Sequence, residues 1–288
     1  MAKLIEALNP GDKVEGVFII AQKKVGTKKD GSRYLVLDLA DRTGQIPGFI
    51  WDDVDYAIKA IADEFFLRIS GVVKEYNGRR QVTISSFSRV EPSMIDLNNL
   101  FPGPTKGLDA LKKRLEELKD LVENPWLKQL LNAIFEDENF YNRFLQLPAA
   151  ISKHHNYLNG LLDHTIEVAE LVLGAQSVFP SLDYDLLLTC ALLHDIGKVE
   201  EYKVDRGFEF TEKGNLFGHI VIGYSMVRDA IRGIANFPPD LTSKILHIIL
   251  SHHGREEWGS PRRPAFTEAY LLHFMDNLSS KIHSADED

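Results

Sequence analysis

Between residues 11 and 89 apolar and polar positions alternate in short runs: "VEGVFII", "RYLVLDLA", "GQIPGFIW", "FFLRISGVV" and "QVTISSFSRV". A period of two puts every second side chain on one face, so each run predicts a half-buried strand. Turn chemistry separates the runs, at Lys29-Asp30-Gly31-Ser32, at Asp41-Arg42-Thr43-Gly44 and at the two-residue hairpin signal Asn77-Gly78. One segment between the third and fourth runs, "DDVDYAIKAIADE", spaces its apolar residues as a helix does.

Five short strands with a helix after the third predict an all-β OB barrel over residues 1–92. Residues 93–106, within "EPSMIDLNNLFPGPTKGL", are rich in Pro, Asn and Gly and hold no period, which predicts a linker. From 107 to 288 the period changes to three and four. "LDALKKRLEELKDLVE", "PWLKQLLNAIFED", "ENFYNRFLQLP", "LNGLLDHTIEVAELVLGAQ", "YDLLLTCALLHDIG", "FGHIVIGYSMVRDAIRGIA", "PDLTSKILHIILSHH" and "TEAYLLHFMDNLSSKI" each read as helix, with Pro or Gly at the joints. The fold class is therefore multidomain, an all-β barrel followed by an all-α domain.

A composition of 44% hydrophobic and 26% charged residues is that of a globular chain. No apolar run reaches the roughly 18–20 residues that cross a bilayer, and the first residues lack the pattern of a signal peptide, so the expectation is a cytoplasmic protein without a membrane partner. Cys190 is the single cysteine and sits in "LLLTCALL", where it reads as a small buried residue. The net charge of −9 is unevenly placed, with 14 Lys+Arg against 13 Asp+Glu in residues 1–92 and 19 against 29 beyond. An acidic half can still handle phosphates when bound cations neutralise its carboxylates.

On an OB barrel the binding surface is the outer face of strands two and three with the flanking loops. Lys28 and Lys29 lie in the first loop, and Arg79 and Arg80 in the last hairpin. Tyr34, Phe49 and Trp51 lie on the second and third strands, where they either offer rings for base stacking or face the core.

Seven residues of the helical half are hard to explain as packing. His164 interrupts "GLLDHTIEVAEL", His194 and Asp195 close "ALLHD", His219 follows Gly218, His252 and His253 end "IILSHH", and Asp276 interrupts "LLHFMDNL". Each would need a polar partner when buried, and a shared metal centre supplies one for all. Imidazole mixed with carboxylate suits Mn²⁺, Fe²⁺, Co²⁺ or Zn²⁺ better than Mg²⁺ or Ca²⁺. Seven ligands exceed what one ion takes while leaving room for water, so the count suits two ions, with Asp195 as the natural bridge.

That order of residues resembles the extended signature of the HD-domain phosphohydrolases, an all-helical superfamily of metal-dependent phosphoesterases. The resemblance implies one ion on His164, His194, Asp195 and Asp276. It implies a second on Asp195, His219 and His252, with His253 as a further ligand or a phosphate contact. With the flanks "KHHNYLNGLLDHT", "GHI" and "LSHHGREEWGSPRRPAFTEAYLLHFMDNLSSK" and a barrel in front, nearly the whole chain is similar to the YhaM-type 3′→5′ exoribonucleases. Asn159 departs from that pattern, standing where a small residue is expected. The resemblance implies hydrolysis of single-stranded RNA, and in some members single-stranded DNA, from the 3′ end to nucleoside monophosphates. Mn²⁺ is the favoured ion, with Co²⁺ or Fe²⁺ as alternatives, and the sequence is compatible with a homo-oligomer.

Lys198 of "HDIGK" reads as a phosphate contact, or as a cation at the helix C-terminus, with Gly197 ending the helix in a left-handed conformation. His155, Arg262 and Arg263 are further candidates for substrate contact. His247, His273 and His283 read as structural. Two rivals stay open: an HD-type phosphodiesterase of cyclic dinucleotides or small nucleotides, and a strand-binding protein whose helical domain is a scaffold.

Overall fold

The structure, a computed structural model, describes residues 3–91, 94–150, 157–204 and 208–285. The chain divides into two compact units, Met1–Pro102 and Gly103–Asp288.

In the first unit β1 (Lys13–Thr27), β2 (Arg33–Asp41), β3 (Gly44–Ile50), β4 (Phe66–Tyr76) and β5 (Arg79–Arg89) close into a barrel of order β1-β2-β3-β5-β4. Closure depends on the length of β1, which pairs along β4 with its first half and along β2 with its second. A register shift between Ile20 and Gln22 separates the two pairings, where an extra residue bends the strand. Between β3 and β5 the pairing is parallel, at Gly48↔Val82 and Phe49↔Thr83. Alternation sends Leu35, Leu37, Leu39, Ile46, Ile50, Leu67 and Ile69 inward. Asn77 and Gly78 both take positive φ, 50° and 75°, as a tight hairpin turn requires. Helix α1 (Val54–Ala60) follows β3 and adds Val54 and Ala57 to the barrel core. Inside the segment read as a linker, Leu97–Leu100 forms a short helix, α2, whose Leu100 is buried.

The second unit consists of α3 (Leu108–Asp120), α4 (Pro125–Phe135), α5 (Glu138–Gln146), α6 (Gly160–Gly174), α7 (Tyr184–Leu193), α8 (Lys198–Glu201), α9 (Glu212–Arg232), α10 (Pro239–Ser251) and α11 (Thr267–Ala285). Between α8 and α9 a small hairpin, β6 (Tyr202–Val204) and β7 (Phe208–Phe210), went unread because three-residue strands carry no period. Helix starts follow their capping chemistry. Asn124, Asp137, Asp183 and Thr211 each accept a backbone N–H of the first turn, and Pro125 sits where its missing N–H costs nothing. Residues 186–193 of α7 are all buried, so this helix is apolar on every side and runs through the middle of the core. Cys190 is one of them. Asn159 precedes α6 at φ 68°, a conformation that Asn tolerates better than most residues, and its amide donates to the Leu145 carbonyl.

Gly197 corrects one expectation. Its backbone is right-handed (φ −61°, ψ −22°), not left-handed. What demands glycine there is the neighbouring helix, since a Cβ would lie 2.0 Å from the His219 carbonyl oxygen and 2.6 Å from the Gly223 nitrogen.

Candidate metal centre and strand-binding face

The apolar packing of α6, α7, α9, α10 and α11 brings the seven polar residues to one place. His164 projects from the middle of α6, His194 caps the C-terminus of α7 with Asp195 next to it, and His252 caps α10 with His253 next to it. Asp276 lies within α11. His219 follows Gly218, whose φ of 69° and ψ of 156° kink α9 and turn the next side chain inward.

Asp195 stands at the centre, 2% exposed. Its Oδ2 is 3.5 Å from His164 Nε2 and 3.4 Å from His194 Nε2, while its Oδ1 is 3.4 Å from His219 Nε2 and 3.6 Å from His252 Nε2. Asp276 Oδ1 lies 3.2 Å from His164 Nε2 and 3.9 Å from His194 Nε2. Two groups of donor atoms result, each within 4.8 Å: His164, His194 and Asp195 on one side, and Asp195, His219, His252 and His253 on the other.

The opposite ring nitrogens fix the protonation pattern. Nδ1 of His194, His252 and His253 lies 2.7, 2.7 and 2.8 Å from the carbonyls of Ala191, Ile249 and Trp258. A carbonyl only accepts, so Nδ1 carries the proton and Nε2 carries a lone pair. Those of His194 and His252 face the Asp195 oxygens, and Asp195 Oδ1, His219 Nε2 and His252 Nε2 are buried without a hydrogen-bond partner. Acceptors that face one another in a dry interior repel unless a cation lies between them. The donor set therefore fits divalent ions on both sides of Asp195, and its imidazole–carboxylate mix suits first-row transition metals.

Electrostatics sets the charge of the cluster, and His194 departs from the other histidines. Burial resists ionisation of Asp195, but the Lys198 ammonium and His194 outweigh it and hold the carboxyl well below its ordinary value. Asp276 is likewise held low against burial, chiefly by His164 and His194. Burial pushes His164 and His252 down, and pushes His253 down to about 3 with help from His252 and His219. His194 moves the other way, because Asp195 and Asp276 overcome its burial.

A cavity of about 490 Å³ opens on this cluster. Lys198 lines it, 7% exposed, with Nζ 2.5 Å from Asp195 Oδ2. Tyr202, Glu257, Trp258 and Lys281 form other parts of the wall, none of them singled out from the sequence. A signal for part of this wall was present, since His273, Asp276, Asn277 and Ser280 follow the i, i+3, i+4, i+7 spacing of one helix face. His273 also supports the ligand turn, with Nδ1 2.7 Å from the His252 carbonyl. Arg262 and Arg263 are exposed and lie outside the cavity lining. His155 lies outside the described residues.

On the barrel, Tyr34, Phe49 and Trp51 are half-buried and alternate with the inward residues of β2 and β3, so they face outward. Their centroids are 6.1, 5.1 and 5.3 Å apart, and Phe49 and Trp51 are nearly parallel at 8°. Lys28 Nζ sits 5.4 Å from the Trp51 ring. Tyr34 lies over Gly26, where a Cβ would come within 2.2 Å of its ring. Lys29 and Arg79 are exposed. Arg80 is exposed and anchors the residues before β1, its Nη1 donating to the carbonyls of Ile5, Glu6 and Leu8.

Comparison with known families assigns both units. Residues 161–281 match the model described as HD domain, and residues 19–90 match that of the OB-fold nucleic acid binding domain. The chain is an OB barrel followed by a helical HD domain. One solved structure similar to it is the second OB-fold domain of replication protein A from Methanococcus maripaludis, 24% identical, covering 33% of this chain and 100% of that chain with a TM-score of 0.24. The pairing of an HD domain with an OB-fold domain supports a metal-dependent phosphohydrolase that acts on nucleic acid. Among the described residues no helix of the HD domain or elsewhere is long and apolar enough to cross a membrane.

Proposed function

We propose that this protein is a 3′→5′ exoribonuclease that hydrolyses single-stranded RNA, and single-stranded DNA as a secondary substrate, to nucleoside 5′-monophosphates. The observation that carries the reading is the convergence of four imidazole nitrogens on the two oxygens of Asp195, which supports places for two ions. His164, His194, Asp195 and Asp276 would hold one ion, and Asp195, His219, His252 and His253 the other. When bound, a pair of divalent ions, Mn²⁺ foremost and Co²⁺ or Fe²⁺ next, supplies Lewis-acid charge for the phosphoryl oxygens and a water acidic enough to attack near neutral pH.

The chain's own residues do the rest. Water adds to phosphorus in line with the P–O3′ bond, which breaks to leave a strand one nucleotide shorter with a free 3′-hydroxyl. Lys198 keeps donors beyond the one given to Asp195, and directs them at a nonbridging oxygen as charge grows in the transition state. Trp258 and Lys281 at the cavity wall give the terminal nucleotide an aromatic face and a cation. We assign strand holding to residues 1–92, where Tyr34, Phe49 and Trp51 take bases by stacking and Lys28, Lys29 and Arg79 take phosphates. Residues 93–106 serve as the connector and residues 107–288 as the hydrolase.

The test is incubation of 3′- and 5′-labelled single-stranded RNA with Mn²⁺-loaded protein beside Asp195→Ala. Loss of the 3′ label first, as mononucleotide and only with the wild type, is the expected result. Intact RNA alongside turnover of a cyclic dinucleotide would overturn the exonuclease reading, and binding without any turnover would leave the HD domain as a scaffold.

A further inference from the structure

We propose that Glu201 is a positioning residue for one half of the metal centre, fixing the tautomer and direction of His219 and so setting the affinity for the ion on the His219 side of Asp195. The inference rests on the dinuclear reading above. Glu201 is 5% exposed, ends α8, and is separated from Lys198 by two residues. Its Oε1 accepts the His219 backbone N–H at 2.9 Å and lies 3.2 Å from His219 Nδ1, while Oε2 is 3.1 Å from the same nitrogen. A carboxylate next to Nδ1 draws the proton there and leaves the lone pair on Nε2, which faces Asp195 Oδ1.

Local backbone geometry explains why a carboxylate is used at this position. His194 and His252 sit at helix ends, where free carbonyls are at hand to receive Nδ1. His219 sits at the start of the second segment of α9, where backbone N–H groups are the unsatisfied ones and no carbonyl points forward. The Gly218 kink removes the His219 N–H from the helical ladder, and a single carboxylate answers both that N–H and Nδ1.

Glu201 can do this because its own backbone is clamped. Its carbonyl accepts from Thr211 N at 2.9 Å, and Gly214 passes so close that a Cβ would stand 2.3 Å from the same oxygen. Support of this kind typically changes metal affinity by about 10–100-fold when removed, and its effect should fall on the Asp195–His219–His252–His253 group and spare the other.

Isothermal titration of the full-length, chelator-stripped protein with Mn²⁺ tests this, run on the wild type, Glu201→Gln, His219→Asn and Asp276→Asn, with melting curves of each in chelator. The expected result is two binding events in the wild type and, in Glu201→Gln, a loss of about 10–100-fold in one of them. That event is the one weakened by His219→Asn and untouched by Asp276→Asn, and the metal-free melting temperature of Glu201→Gln stays at the wild-type value. Two events of wild-type affinity in Glu201→Gln would overturn the inference and leave the dinuclear centre standing. Equal weakening of both events together with a lower metal-free melting temperature would make Glu201 a structural residue only. A wild type that binds no ion would remove both readings.

Discussion

Gly197→Ala isolates the contact on which the α8–α9 geometry depends. The residue is right-handed helical, so alanine meets no backbone penalty, and at such a position it is normally favoured over glycine by up to about 1 kcal/mol. Against that, the new Cβ would stand 2.0 Å from the His219 carbonyl oxygen, 2.6 Å from Gly223 N and 2.8 Å from the His219 carbonyl carbon. These are backbone atoms, which no rotamer change can move aside. Restoring even a tight contact requires the two helices to part by about 1 Å, and forced overpacking of this kind costs about 1–3 kcal/mol. The clash wins by sign, and the melting temperature should fall by about 2–4 °C for each kcal/mol in a domain of this size. Because His219 rides on the displaced segment, its Nε2 moves away from Asp195 Oδ1, and a misplacement of about 1 Å in a reacting site costs on the order of 10²-fold in rate. Differential scanning calorimetry and hydrolysis of an activated phosphodiester in Mn²⁺ measure the two effects. A raised melting temperature with unchanged turnover would refute the reasoning, since it would mean that α8 and α9 are not in backbone contact.

Asp195→Asn should cost more than any supporting residue, over about 100-fold in turnover, and should reduce bound metal measured by elemental analysis; two ions retained per chain would contradict the bridging role proposed for it. Gly26→Ala should push Tyr34 off the barrel face and weaken single-strand binding, and Trp51→Ala should weaken it by about 1–3 kcal/mol if one base stacks there, both read by fluorescence anisotropy. His247 is held below its ordinary value by burial and by Arg262, and its Nε2 accepts the Ala265 N–H, which only the neutral ring can do. A lowered histidine contributes stability that is present above its unfolded value of about 6.5 and lost as pH falls through its lowered folded value, so His247→Gln should flatten the acid side of the melting-temperature profile; an unchanged slope would count against the contact. Saturating Mn²⁺ should raise the melting temperature, by an amount equivalent to about 2.7 kcal/mol at 100 times the dissociation constant, and chelation should reverse it.

The barrel and the helices were legible because each has a period, and the barrel turns because Asn77-Gly78 and its counterparts have few other uses. The polar cluster was legible for a related reason: His164, His194 and Asp276 break apolar faces that packing alone would have filled. Position along the chain could not say which face of Asp195 each histidine meets, nor that Phe49 and Trp51 point outward, because both depend on register. Glu201 was invisible for want of contrast, one acid among several in "KVEEYK", and only its burial beneath His219 distinguishes it. Gly197 was legible as a special position but for the wrong cause, since turn geometry and close approach leave the same letter in a sequence. The anchoring contacts of Arg80 were not legible, because charge on a hairpin looks the same whether it faces solvent or holds a neighbouring segment.

His194 and His252 each terminate a helix and each return Nδ1 to the carbonyl three residues back, at 2.7 Å in both cases. A rotamer held in this way is chosen while the chain folds, so the loss of side-chain freedom that a binding site would otherwise suffer on capturing an ion has already occurred. Metal uptake at these two positions would then need no rearrangement of either ring. The same contact makes each ring part of its helix end, so replacing His194 or His252 also takes a partner from the Ala191 or Ile249 carbonyl.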